Sequence, residues 1–170
     1  PAACFAAHLP ARLSVQQPAV AYAPSNIALA KYWGKRDAVL NLPLNSSLSI
    51  SLADWGSHTR IFPAETAYDE VWLNGVSLPL DSACASKIIC FVDLYRREQT
   101  LPLRIETDNT LPTAAGLASS ASGFAALTLA LDAAFNLKLP KSVLSMLARF
   151  GSGSATRSPV SYTHLRAHET

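Results

Sequence analysis

A mixed α+β fold follows from three features of the chain. Strand-like segments with two-residue alternation occupy the first half, apolar residues at helical spacing mark 82–97, 119–135 and 140–150, and a further strand candidate separates the first two of these helices. With 170 residues, 49% of them hydrophobic and 15% charged, the chain can bury one good core and does not read as disordered.

The elements run in order as follows. Residues 1–18 lack an initiator methionine and contain no Asp or Glu, the first acidic residue being Asp37. An acid-poor start with Arg12 and Ser14 has some character of a transit peptide. Pro10 and Pro18 interrupt any helix there, however, and His8, Pro10 and Arg12 break up the short apolar stretch that a secretory signal needs. The segment reads as a leader of uncertain origin, and the domain is expected over 19–158. Residues 19–23 and 47–52 are expected strands. In the second, Leu48, Ile50 and Leu52 alternate with serines, so the apolar face is expected to meet the core. Shorter strands are expected at 59–62 and 70–73, the latter ending at the turn signal Asn74-Gly75. A helix over 82–97 places Ile88, Phe91, Val92 and Tyr95 on one face, and a strand at 103–107 leads into a run of small residues. Residues 119–135 read as a buried, alanine-rich helix. Residues 140–150 read as another, with Pro140 near its start and Gly151 just past its end.

Charge and cysteine content narrow the function classes. A net charge of +2 gives no broad basic field, so nucleic acid is not expected as a partner, and no apolar run is long enough to span a bilayer. Cys4, Cys84 and Cys90 are odd in number and lack paired metal spacing, which fits reduced thiols in the core of a cytoplasmic protein.

Three segments carry chemistry. The first, LPTAAGLASSASG at 111–123, has only Leu117 as a large side chain between Ala114 and Gly123. Backbone amides there can approach an anion closely, and the helix that follows points its positive end at the same spot. A phosphate is the natural ligand, although no Gly-Lys-Ser/Thr follows and the loop is not of the Walker type. Without context, a serine-capped helix packed through alanines explains the run equally well. The second segment, PSNIALAKYWGKRDAVLNLPLNSSLSISL at 24–52, sets Lys31 and Lys35 four apart around Tyr32, Trp33 and Gly34. Alone, such lysines are solvated charges over aromatic rings. The third, GSGSATRS at 151–158, offers amides at Gly151 and Gly153, hydroxyls at Ser152 and Ser154, and the planar fork of Arg157, which suits a carboxylate. By composition alone it would pass for a flexible linker.

Taken together and in this order, the three segments resemble the diphosphomevalonate decarboxylases, a branch of the GHMP kinase superfamily. The resemblance covers 19–158; the small-residue loop belongs to the superfamily, whereas KYWGKRD and GSGSAxRS are more particular to the branch. It implies the α+β amino-terminal domain of GHMP kinases, a ribosomal-protein-like fold with a left-handed βαβ crossover, here incomplete. It also implies a reaction in which ATP phosphorylates the tertiary 3-hydroxyl of mevalonate 5-diphosphate. Phosphate and carbon dioxide then leave to give isopentenyl diphosphate.

On the same resemblance, Lys31 stabilises the transferring phosphoryl group, Asn26 orients the reacting groups and Arg157 holds the departing carboxylate. Tyr32, Trp33, Gly34, Lys35, Ser152, Gly153, Ser154, Ala155 and Thr156 line the substrate site, Thr156 standing where a cysteine is common. Ala115, Gly116, Leu117, Ala118, Ser119 and Ser120 cradle ATP, and Mg2+ arrives with the nucleotide rather than in a dedicated metal site. A cytoplasmic homodimer is implied for the full-length enzyme. A phosphomevalonate decarboxylase or a mevalonate 3-kinase would share most of these motifs, and an RNA or protein interaction module is the alternative outside enzymes.

The match breaks after Ser158, where the chain reads PVSYTHLRAHET over 159–170 in place of the family's continuation. This tail is expected to be non-native, and His164 and His168 within it to be a chance pair. None of Asp37, Asp54, Asp108 and Asp132 matches the family's catalytic aspartate, so the chain as it stands is expected to be an inactive fragment that exposes part of its core.

Overall fold

The structure, a computed structural model, describes residues 1–30, 34–44, 46, 48–110 and 119–160. In chain order its elements are α1 (Ala2–His8), β1 (Ala19–Ala30), β2 (Lys35–Asp37), β3 (Leu42–Pro43), β4 (Leu48–Pro63), β5 (Glu70–Leu73), β6 (Val76–Ser77), α2 (Ala83–Arg96), β7 (Leu103–Asn109), α3 (Ser119–Ala134), α4 (Lys141–Gly151) and a 3-10 helix, Gly153–Val160. Five strands form one sheet in the order β1-β4-β7-β5-β6, and β2 and β3 form a separate hairpin. Every pairing is antiparallel except β5 with β7, whose connection runs through β6 and α2. This is the mixed α+β architecture expected.

Local chemistry explains where the elements begin. Ser82 caps α2 by accepting a hydrogen bond from the Ala85 amide at 3.2 Å. The helix then buries Phe91, Val92 and Tyr95, with Ile88 at the margin of the core. In α3 the buried alanines 121, 125, 126, 130 and 134 present so little bulk that the helix lies close against β1 and β4. A buried chain of hydroxyls joins them. Ser25 on β1 donates to Ser122 at 3.0 Å, Ser122 lies 2.8 Å from Ser57 on β4, and Ser57 donates to the Asn109 side chain at 2.7 Å. Each of these polar groups has a partner, which removes the penalty of burying it.

Several expectations are corrected. Residues 48–52 and 59–62 belong to one strand, β4, folded around a local irregularity, and Ser47 lies outside the described residues. The register with β1 passes from Asn26↔Ser51 to Pro24↔Gly56, leaving four residues of β4 opposite one of β1. There Ala53 adopts φ +47°, and the Tyr22 hydroxyl donates to its carbonyl. The predicted polarity of 47–52 is reversed, because Ser49 is 1% exposed while Leu48 and Ile50 are 45% and 47% exposed. The serine at the centre of the serine face is buried, and the apolar face points outward with Ile27, which pairs with Ile50, and Leu29. Gly151 is the last residue of α4 rather than a residue beyond it. Cys84 and Cys90 are exposed rather than in the core. Within 1–18, Phe5, Leu9 and Leu13 are buried in the main core, and Phe5 makes edge contacts with Phe91 and Tyr95.

Candidate functional site

The three chemical motifs are tied together at two consecutive residues of β1. Ser25 faces the first turns of α3 through Ser122, and Asn26 next to it donates from Nδ2 to the Ser158 Oγ at 2.7 Å and to the Pro24 carbonyl at 3.3 Å. One strand therefore fixes the helix start that follows the small-residue loop and the 3-10 segment that carries the Gly-Ser arc. Ser119 and Ser120, at the head of α3, are exposed, and no acidic side chain occupies the first turn. A helix start with no acidic side chain in its first turn and with exposed hydroxyls suits a phosphate.

The arc itself is not a flexible linker. Ser152 closes α4 by donating its amide to the Ala148 carbonyl at 3.2 Å, and the Ala155 amide donates to the Ser152 carbonyl at 2.8 Å. The Ser152 and Ser154 hydroxyls lie 3.3 Å apart. Ala155 is fully buried, and Ser145 of α4 donates to the Thr156 carbonyl at 2.6 Å. Gly153 opens the 3-10 helix, and Arg157, 8% exposed, lies near its end. A guanidinium held this far from solvent acts on an anion with little dielectric screening. A cavity of about 390 Å³ is lined by Tyr22, Pro24, Ser51, Ala53, Leu129, Ser158 and Pro159. Gly151 also has a packing role. A Cβ there would come within 2.1 Å of the Phe124 ring, so its missing side chain serves packing between α4 and α3.

The β2–β3 hairpin brings in a further cation. Gly34 takes φ +76°, open to glycine at no steric cost, and Lys35 follows with an exposed side chain. Lys35 donates to the Asn41 Oδ1 at 2.7 Å, and the Asn41 Nδ2 donates to the Arg149 carbonyl at 3.1 Å, in the last turn of α4. Arg149 is buried, and burial pulls its guanidinium below the usual arginine range. Asn41 and Ser158 are absent from the sequence-derived site. The one local signal for Asn41 is its left-handed backbone, φ +52°, which Asn tolerates better than most residues. Lys31, Tyr32, Trp33, Ala115, Gly116, Leu117 and Ala118 lie outside the described residues.

Residues 23–166 match the family model described as the diphosphomevalonate decarboxylase-like N-terminal domain. A diphosphomevalonate decarboxylase of Eremothecium gossypii is 45% identical over 150 residues, covering 80% of this chain and 38% of the relative. The crystal structure of mevalonate diphosphate decarboxylase from Staphylococcus aureus superposes with a TM-score of 0.77 at 43% identity, covering 84% of this chain and 43% of that one. A structure of MDDEF in complex with MVAPP, AMPPCP and magnesium gives a TM-score of 0.72 at 44% identity, over 83% of this chain and 43% of the other. The chain thus spans about two fifths of the length of these relatives. Among the described residues, no helix is long and apolar enough to cross a membrane.

Proposed function

Because the chain belongs to the diphosphomevalonate decarboxylase family through its amino-terminal domain, we propose that it forms one wall of a site for ATP-dependent decarboxylation of mevalonate 5-diphosphate. The observation that carries this reading is the junction at Ser25 and Asn26, where hydrogen bonds to Ser122 and Ser158 bind the phosphate-loop helix and the Gly-Ser arc to one strand.

The chemistry asks for this arrangement. A substrate with a diphosphate and a carboxylate, meeting ATP, gathers several negative charges in one cleft, and fixed cations with oriented donors stabilise them. Lys35 and the hydroxyls of Ser152 and Ser154 hold the substrate's phosphates, with Tyr32, Trp33, Gly34, Gly153, Ala155 and Thr156 completing the lining. Arg157 aligns the carboxylate until carbon dioxide leaves. Lys31 stabilises the phosphoryl group in transfer, and Asn26 orients the reacting groups. Ser119 and Ser120, with the amides of 115–118, receive the nucleotide's phosphates. The exposed hydroxyls and acid-free first turn of α3 fit that anion, and the relative bound to AMPPCP, an ATP analogue, and magnesium supports the same assignment. Magnesium, when bound, screens the phosphate charge. The full enzyme acts in the cytoplasm as a homodimer, without nucleic acid or membrane as a partner.

Equilibrium binding of mevalonate 5-diphosphate, mevalonate 5-phosphate and mevalonate to this chain tests the reading. Affinity is expected to rise with each phosphate and to fall about tenfold or more in Lys35→Met, the loss of one charge-assisted contact. Equal affinity for all three, or preference for the monophosphate, would overturn the choice of substrate.

A further inference from the structure

The β2–β3 hairpin and α4 are distant in sequence, yet one side chain bridges them. Asn41 spends both ends of its amide. Its Oδ1 accepts from Lys35 Nζ at 2.7 Å, and its Nδ2 donates to the Arg149 carbonyl at 3.1 Å, a span of 108 residues along the chain. That carbonyl belongs to the last turn of α4, which has no continuing helix to bond it. Two residues after α4 ends at Gly151, the Gly153–Val160 segment begins. The hairpin is itself stiffened at its tip, where the Asp37 carboxylate accepts from the amides of Val39 at 2.8 Å and Leu40 at 2.9 Å. A flexible lysine stem samples many rotamers when free, so a fixed acceptor narrows where its ammonium sits.

We infer that Asn41 is a positioning residue, a latch that holds the Lys35 ammonium and the carboxyl end of α4 in one register, so that the lysine and the Gly-Ser arc face the same diphosphate. The diphosphate part of this inference rests on the function proposed above; the latch itself rests on the two hydrogen bonds. The chemistry of an amide is specific here. Aspartate would keep the acceptor for Lys35 and lose the donor to Arg149. Glycine would lose both while keeping the left-handed backbone without strain.

The test compares wild type, Asn41→Gly, Asn41→Asp and Lys35→Met by hydrogen exchange and by titration with inorganic pyrophosphate. In Asn41→Gly, amides of 150–156 are expected to exchange about tenfold faster while those of α2 keep their rates, and pyrophosphate affinity is expected to fall about tenfold. Asn41→Asp should show the fast exchange but keep more of the affinity. Lys35→Met should lose affinity and keep slow exchange at the end of α4. Unchanged exchange in Asn41→Gly, or an increase spread evenly over α2 as well, overturns the latch. Local loosening with unaltered pyrophosphate affinity overturns the functional half of the inference while the proposed function stands. A wild type that does not bind pyrophosphate, or a Lys35→Met that binds as wild type, refutes the proposed function and the inference's functional half together, and the exchange data still decide the latch.

Discussion

Replacing Gly151 by Ala probes the contact that seats α4, and with it the Gly-Ser arc, against α3. The new Cβ would lie 2.1 Å from Phe124 Cδ1, 2.4 Å from Cγ and 2.8 Å from Cε1, all ring atoms of one buried side chain. Phe124 has little room to yield, since its ring packs edge-on at 5.2 Å from Phe91 and lies 5.0 Å beneath the Lys87 ammonium. Overpacking of this kind costs about 1–3 kcal/mol. The gain in helix propensity from Gly to Ala, at most about 1 kcal/mol in a helix interior, is smaller at a terminal position. A net loss of about 1–2 kcal/mol follows, which for a domain of this size lowers Tm by roughly 2–8 °C. Phe124→Ala would remove Cγ, Cδ1 and Cε1, the three atoms in the way, so adding Gly151→Ala to that variant should cost little, with a coupling energy of at least about 1 kcal/mol in a urea-denaturation cycle. A Gly151→Ala protein as stable as wild type, or strictly additive effects in the cycle, would refute the packing argument.

Two further outcomes are expected. Asp69 accepts from Arg96 Nη1 at 2.8 Å and Nη2 at 2.6 Å, and from the Leu103 amide at 2.9 Å. Burial alone would raise its pKa, but these bonds hold its carboxyl below the usual range. Because the folded pKa is depressed, the pair's contribution is full above about pH 5 and is lost as pH falls through the folded value. Urea midpoints should therefore drop below about pH 4, and Asp69→Asn should flatten that dependence and cost about 3 kcal/mol at pH 7; a variant that titrates like wild type would contradict this. The outward pairing of Ile27 with Ile50, flanked by Leu29 and Leu48, predicts self-association. Leu48→Lys with Ile50→Thr should reduce the mass seen by light scattering at high protein concentration, and an unchanged mass would exclude this face as its cause.

How much of this was legible in the sequence depended on whether local pattern or tertiary fit decided each residue. The buried face of α2 followed periodicity because apolar spacing on a helix maps directly onto burial, as Phe91, Val92 and Tyr95 illustrate. The alternation in 47–52 misled for the opposite reason. Strand period identifies two faces but not which one the fold covers, and here the face that carries Ser49 is the buried one. The Ser25–Ser122–Ser57 chain joins residues on three elements, so no window along the sequence contains it. In the candidate site, the Gly-Ser arc and Asn26 are recognisable as motifs. Asn41 and Ser158 act through partners more than a hundred residues away and leave no periodic trace. Gly151 belongs to a motif, yet its own reason for being glycine is Phe124.

The central claim is most directly tested by a chimera in which residues 23–158 replace the aligned part of the Eremothecium gossypii relative, assayed for ADP and carbon dioxide from mevalonate 5-diphosphate and ATP. Equal amounts of both products are expected, with carbon dioxide lost in Arg157→Ala while AMPPCP binding persists. A folded chimera that binds AMPPCP but releases no carbon dioxide, or one whose Arg157→Ala variant releases it at the parent's rate, would contradict the account.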